Sequence, residues 1–192
     1  DLDDSGSAHV VNRLPGKNQY GVVFGLIHHH TEKYPMADGG GGLERVILMS
    51  DPLKRMGALS QGECERIIAA LDLADTRGLP LEWLATSAGA LISMDSGTEN
   101  LDWTARVLRR IIQFTDKGGI VHVLVDGVSV GAQSYFNAEA TMLMHTKGAL
   151  IMTPRGSMVL TGKRALDASG AVSAEDEVGI GGFEQIMGPN GQ

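Results

Sequence analysis

Apolar residues in this chain fall into short runs whose period changes from two to about 3.6 and back, and the changes mark its elements. After a turn over 15–18, the run Tyr20-Gly-Val-Val-Phe-Gly-Leu-Ile27 predicts a strand. Glu44-Arg-Val-Ile-Leu-Met-Ser50 predicts a second strand, antiparallel to the first, with a flexible Gly-rich hairpin or loop over 37–42 between them. Ser60-Gln-Gly-Glu63 has the spacing of a capping box, and Ile67, Leu71 and Ala74 follow on one helical face until Gly78 and Pro80 stop the helix. Leu81-Glu-Trp-Leu-Ala-Thr86 predicts a strand. A second helix, capped by Asn100 or Asp102, carries the stripe Ala105, Leu108, Ile111 and Ile112 and ends at Gly118-Gly119. Ile120-Val-His-Val-Leu-Val125 predicts a buried strand, followed by a helix through Tyr135, Ala138 and Met142 and a last strand over 149–152.

Strand, loop and helix recurring at roughly 40-residue spacing require parallel strands joined by right-handed crossovers, so the fold class is α/β. The 192 residues suit one domain, and 43% hydrophobic with 20% charged residues suits a packed core. A net charge of −7 opposes binding to nucleic acid or to an anionic membrane, so an anionic ligand needs a local basic patch. No stretch approaches the ~18 consecutive apolar residues of a membrane span. The single cysteine, Cys64, forbids an internal disulfide and a cysteine metal cluster, and fits a reducing cytoplasm. The chain has no initiating Met and no terminal signature, and it reads as a piece of something longer. Residues 1–10 form a loose lead-in and 11–192 form one unit.

Two small-residue loops carry the main chemical signal. Ser87-Ala-Gly-Ala90 and Gly127-Val-Ser-Val-Gly-Ala132 each sit at the carboxyl end of a predicted strand, where ligands bind in α/β sheets. Small residues let a ligand approach backbone N–H groups at a helix start. Two such loops could aim donors at one carbonyl oxygen and form an oxyanion hole. Tight turns at Gly89 and Gly131 explain the same composition without a ligand.

The order of motifs resembles the amino-terminal half of the carboxyltransferase domain of biotin-dependent acyl-CoA carboxylases, especially the single-chain acetyl-CoA carboxylase type. Val11-Asn-Arg-Leu-Pro-Gly-Lys-Asn18 is similar to that family's V-N-R-x-P-G-x-N, and Gly21-Val-Val with Thr31-Glu-Lys-Tyr-Pro35 to its G-M-V and T-P-E-Y-P. Ser87-Ala-Gly-Ala-Leu-Ile92 resembles N-S-G-A-R-I, and residues 127–132 resemble A-V-G-I-G-A-Y. Leu160-Thr-Gly162 is similar to I-L-T-G, and Gly181-Gly-Phe-Glu-Gln-Ile-Met187 with Asn190-Gly191 to L-G-G-I-Q-I-M and N-N-G. Leu91 stands where the family has Arg; Ser129 and Gln133 stand where it has Gly and Tyr.

The resemblance implies a crotonase-like ββα superhelix (the ClpP/crotonase fold) and a carboxyltransferase that moves a carboxyl group from carboxybiotin to the alpha carbon of acetyl-CoA or another short acyl-CoA. It implies backbone donors at Ala90 and Gly131 facing an enolate oxygen, and substrate contacts at Ser87, Gly89, Ala132, Arg155, Lys163, Arg164, Gly181 and Gly182. Biotin arrives on a separate carrier domain, and a carboxyl-terminal half, across a homodimer or higher oligomer, completes the site. The alpha proton goes to the biotin nitrogen, so no side-chain base is demanded. Between Glu139 and Asp167 there is no acidic residue, while Lys147, Arg155, Lys163 and Arg164 are present. That excess suits the phosphates of coenzyme A; a solvated basic face or an acidic partner subunit suits it equally.

Other residues offer competing chemistry. Ser134 and His145 could serve a serine hydrolase, and Glu139 an enoyl-CoA hydratase or isomerase. A non-catalytic acyl-CoA-binding scaffold is also compatible with Leu91. Of His28-His-His30, only His28 and His30 share a strand face, without a carboxylate at ligand spacing, so no metal is expected. Cys64 is expected to be a buried thiol, and the nine Met residues flexible core filler.

Overall fold

The computed structural model describes residues 1–31, 33, 42–170 and 176–192, so most of the expected loop over 37–42 lies outside the described residues. Its strands are β1 (Val22–His29), β2 (Leu43–Ser50), β3 (Leu81–Leu84), β4 (Val121–Val125), β5 (Val128–Val130), β6 (Leu150–Met152) and β7 (Ser157–Val159). Its helices are α1 (Gln61–Arg77), α2 (Glu99–Asp116), α3 (Ala132–Thr141), α4 (Lys163–Ala168) and α5 (Glu177–Gly181), followed by a π-helical turn over Phe183–Met187. One sheet has the order β1-β2-β3-β4-β6; β5 and β7 form a second, parallel pair. β1 and β2 are antiparallel, and β2, β3, β4 and β6 run parallel, as the helical crossovers require.

Each repeat places one strand in the large sheet, a short extended piece in the small one, and then a helix. β4, β5 and α3 form one such unit, and β6, β7 and α4 the next. β3 has the same pattern, because Ser87 bridges to Ser129 of β5 before the chain enters α2. The architecture is the ββα superhelix.

Burial explains the arrangement. Val46, Leu48, Leu81, Trp83, Val121, Val123 and Val125 turn one sheet face toward Ile67, Leu71, Val107, Ile111 and Phe136 of the helices, and all are essentially inaccessible to solvent. Each such side chain contributes roughly 1.5–3 kcal/mol by leaving water. Trp83 stacks on Phe136 with ring centroids 6.0 Å apart.

Glu63 of α1 accepts the Ser60 N–H at 3.1 Å, as the capping-box spacing predicts, and its other oxygen accepts the Gly21 N–H at 2.8 Å. The helix cap thereby also fastens the start of β1. Gly78, at φ +64°, ends α1 in a left-handed cap.

Four details differ from the sequence pattern. Thr98 occupies the α2 cap; Asn100 instead donates to Leu91 O at 3.0 Å, and Asp102 pairs with Arg106. The buried stripe of α2 is Val107, Ile111 and Phe114, with Ala105 and Ile112 exposed. Rotating the helix this way buries the larger apolar surface of Phe114 in place of an alanine. In α3, Phe136 and Ala140 face the core while Tyr135 and Met142 face solvent. The lead-in over 1–10, expected to be loose, closes on itself: Leu2 bridges Ala8, and the Asp1 carboxylate pairs with Arg66 and, at 2.6 Å, with Arg13.

Candidate active site

The two small-residue loops lie side by side because both contribute to the small sheet. Ser87 donates its N–H to Val128 O at 2.9 Å and accepts the Val130 N–H at 2.9 Å. Its fully buried hydroxyl accepts the Gly89 N–H at 3.0 Å, so Ser87 shapes the loop rather than lining a surface. Gly89 adopts φ +89°, and a Cβ there would lie 3.1 Å from Val130 O. Leu59 pins both flanks of Ala90, donating to Gly89 O at 2.8 Å and accepting the Leu91 N–H at 2.7 Å. Ala90 itself is exposed, and its N–H meets no acceptor among the described residues.

The second loop corrects one expectation. The Gly131 N–H donates to Val159 O at 2.9 Å, continuing the β5–β7 ladder, and is not available as an oxyanion donor. Gly131 instead turns the chain, at φ +56° and ψ −118°, from β5 into α3. The next three N–H groups, of Ala132, Gln133 and Ser134, open α3 and have no acceptor among the described residues. Gln133 and Ser134 are buried; Ala132 is half-exposed. Of the three, the N–H on a half-exposed residue is that of Ala132, one residue past the expected position.

The remaining expected contacts divide. Arg155 is held by Asp126, which it grips with two nitrogens and which also accepts the Thr153 hydroxyl at 2.5 Å. Those bonds and the charge of Arg155 hold the Asp126 carboxyl below its ordinary range. Lys163 reaches Asp167 at 2.9 Å. The segment is free of acids in sequence but not in space. Arg164 is exposed and has no ion pair among the described residues. Gly181 and Gly182 pack against backbone: a Cβ at Gly181 would lie 2.0 Å from Met158 O, and one at Gly182 2.3 Å from Val178 O. Their missing side chains make room for β7 and α5, not for a ligand.

Residues 40–192 match the model of the carboxyl transferase domain. The chain belongs to that family. A 92-residue stretch, 48% of the chain, is 32% identical to the acetyl-CoA carboxylase of Schizosaccharomyces pombe and spans 4% of that relative's length. Among solved structures, the transcarboxylase 12S hexamer, with hydrolysed methylmalonyl-coenzyme A bound, superposes with a TM-score of 0.66 at 20% identity. That match covers 88% of this chain and 29% of the other. A single-chain, multi-domain long-chain acyl-CoA carboxylase superposes with a TM-score of 0.67 at 16% identity over 86% of this chain and 15% of its own. These neighbours establish the crotonase-like fold.

Within this carboxyl transferase domain, the hydrolase reading of Ser134 and His145 fails on geometry. Ser134 is buried and its hydroxyl donates to Ser129 O at 2.7 Å, with Val159 O at 3.0 Å. His145 lies instead against Thr115 at 3.3 Å and Asp116 at 3.5 Å. Glu139 sits about two helical turns, roughly 10 Å, beyond Ala132 along α3. His28 and His30 contact edge to face, ring centroids 4.5 Å apart, at the exposed end of β1.

Cys64 is buried in α1, and its burial, together with the neighbouring carboxylates of Glu63 and Glu65, pushes the thiol up to about 12. At neutral pH the reactive thiolate is therefore nearly absent. Iodoacetamide at pH 8 is expected to leave the native protein unlabelled and to label it fully in denaturant, as read by intact mass; rapid native labelling would contradict this burial.

Two features of the site had weak sequence signals. Arg55, Met56 and Gly57 form a left-handed turn, with φ of +52°, +56° and +70°, that supports the first loop through Ala88 N–H to Met56 O at 3.0 Å. Only Gly57 hints at it. A buried polar chain, Gln133–Asn137–Ser129, runs beneath the second loop. Its signal is the pair of departures at 129 and 133 from the family motif.

Proposed function

We propose that this chain forms the amino-terminal half of a carboxyltransferase site, in which the Ala90 and Ala132 N–H groups hold the thioester oxygen of an acyl-CoA. The observation that carries this reading is the pair of N–H groups, of exposed Ala90 and half-exposed Ala132, that have no acceptor among the described residues, on two loops hydrogen-bonded to each other. Removing the alpha proton of a thioester moves an electron pair onto the carbonyl oxygen. Fixed N–H dipoles stabilise that charge without having to reorient. Carboxybiotin, presented on its carrier, would supply the carboxyl group for the alpha carbon and, at the nitrogen so freed, the acceptor for the alpha proton. No side chain of this half has to move a proton. A carboxyl-terminal half, across a homodimer or higher oligomer, closes the site, and a cytoplasmic setting suits the single reduced thiol.

Carboxyl transfer by the full-length protein to acetyl-CoA and propionyl-CoA, beside an ester hydrolysis assay, tests the assignment. Transfer activity that survives Ser134→Ala and His145→Ala is expected. Hydrolysis without transfer would overturn it. For coenzyme A itself, Arg164 and Lys147 are the exposed cations of their segment without ion pairs among the described residues. Raising NaCl from low to high concentration is expected to weaken acyl-CoA binding about threefold in calorimetry, because exposed ion pairs are screened. Affinity independent of salt would remove these side chains from the phosphate contact.

A further inference from the structure

Five polar side chains are buried beneath the two loops: Ser87, Ser129, Gln133, Ser134 and Asn137. Four of them form one connected group. Gln133 Nε2 donates to Asn137 Oδ1 at 2.9 Å, Asn137 Nδ2 donates to Ser129 Oγ at 3.3 Å, and Ser134 Oγ donates to Ser129 O at 2.7 Å. The first turns of α3 thereby grip both the hydroxyl and the carbonyl of Ser129, two residues before the glycine that aims the Ala132 N–H. Ser134 also lies 3.0 Å from Val159 O, the acceptor of the Gly131 N–H.

We propose that Asn137 is a positioning residue for the Ala132 donor: held by Gln133, its amide fixes Ser129 and through it the backbone from 129 to 132. An asparagine amide can be turned either way in a pocket. Here the Gln133 N–H₂ group faces the Asn137 oxygen, and the Asn137 N–H₂ faces Ser129. The chain is specific to this protein's sequence in one respect. Ser129 and Gln133 stand where the family motif has Gly and Tyr, and these two departures are the two ends of the chain that Asn137 joins. Such a group is expensive to bury, and Gln133 Oε1 is left without a partner among the described residues. Polar residues kept in a core at that cost are expected beside functional backbone, where they fix one conformation.

The proposal rests on the reading that Ala132 contacts the enolate oxygen, so the test uses two readouts in the full-length protein. Asn137→Ala removes the amide and with it the contacts to both Gln133 and Ser129. It is expected to lower kcat for carboxyl transfer about tenfold and leave KM for acyl-CoA within about twofold. Ser129→Ala removes only the acceptor, and the double variant is expected to be no slower than Asn137→Ala alone, since the contact between the two residues is already gone in either single variant. An unchanged kcat, a loss confined to KM, or multiplying losses in the double variant would overturn the proposal.

Hydrogen exchange of the peptide covering 128–134 is the second readout. Asn137→Ala is expected to speed its exchange about fivefold while α1 stays at the wild-type rate. If the wild-type protein shows no carboxyl transfer, the functional reading falls, and the exchange result still decides the positioning role. An unaltered exchange rate overturns it. Should Asn137→Ala fail to fold, Ser129→Ala carries both measurements.

Discussion

Replacing Ala132 by proline is expected to lower kcat for carboxyl transfer by about 10²–10³-fold, or roughly 3–4 kcal/mol of barrier, with acyl-CoA binding and the fold retained. The substitution removes one N–H and little else. Ala132 is the first residue of α3, the helical position where proline is best tolerated, because the N–H there bonds to nothing within the helix. The residue before a proline must avoid the α region. Gly131, at φ +56° and ψ −118°, already occupies the mirror image of an extended conformation, which only glycine reaches without cost. The same substitution at Gly131 is a poorer test, because it breaks the ladder bond to Val159 and cannot adopt the observed φ. Ala132→Ser keeps the N–H and is expected to stay within about threefold of wild type, which separates the donor from the side chain. Stopped assays for kcat and KM, with the circular-dichroism melt as the folding control, read the result. Full activity in a well-folded Ala132→Pro protein would eliminate this donor.

That experiment targets a position one residue from where the sequence pointed, for a reason that applies across the molecule. Long periodic segments were legible: Ile67, Leu71 and Ala74 mark the buried face of α1, and alternate residues of β4 are buried as a half-covered parallel strand requires. The small sheet was not legible. β5 and β7 are each three residues long, and their pairing partners are separated by the whole of α3 and β6. Whether the Gly131 N–H is free depends on that pairing, which no local pattern encodes. Charge followed the same rule. Lys163 meets Asp167 one helical turn on, but Arg155 finds Asp126 across the carboxyl ends of β4 and β6, where contiguous strands bring distant residues together. In α2 the stripe Ala105, Leu108, Ile111 and Ile112 holds in half: Leu108 and Ile111 pack on the core, whereas Val107 and Phe114 are buried where Ala105 and Ile112 are exposed. Side-chain area, not mere apolarity, decides which stripe faces inward.

A large stability loss is expected under the other donor, at Gly57. A Cβ at this position would sit 2.3 Å from the Thr86 carbonyl oxygen and 3.2 Å from the Ser87 Cα. Both neighbours are backbone and cannot rotate away. The residue also holds φ +70°, which costs a non-glycine residue about 1–2 kcal/mol before any clash. Gly57→Ala is therefore expected to destabilise the protein by roughly 2–4 kcal/mol, read as a lower midpoint in urea with little change in slope. The effect should not stop at stability. Thr86 and Ser87 lead directly into the Ala88–Ala90 segment, and Met56 O holds the Ala88 N–H at 3.0 Å. Pushing Thr86 outward moves the Ala90 donor, so the protein that remains folded is expected to lose at least about tenfold in kcat. Gly78→Ala is the control, since it shares a left-handed φ of +64° but meets nothing within 4 Å. It should show the backbone cost alone, about 1–2 kcal/mol, with catalysis intact. Equal stability losses at the two glycines would mean that Thr86 yields without cost. A folded Gly57→Ala protein with undiminished kcat would separate this turn from the placement of Ala90.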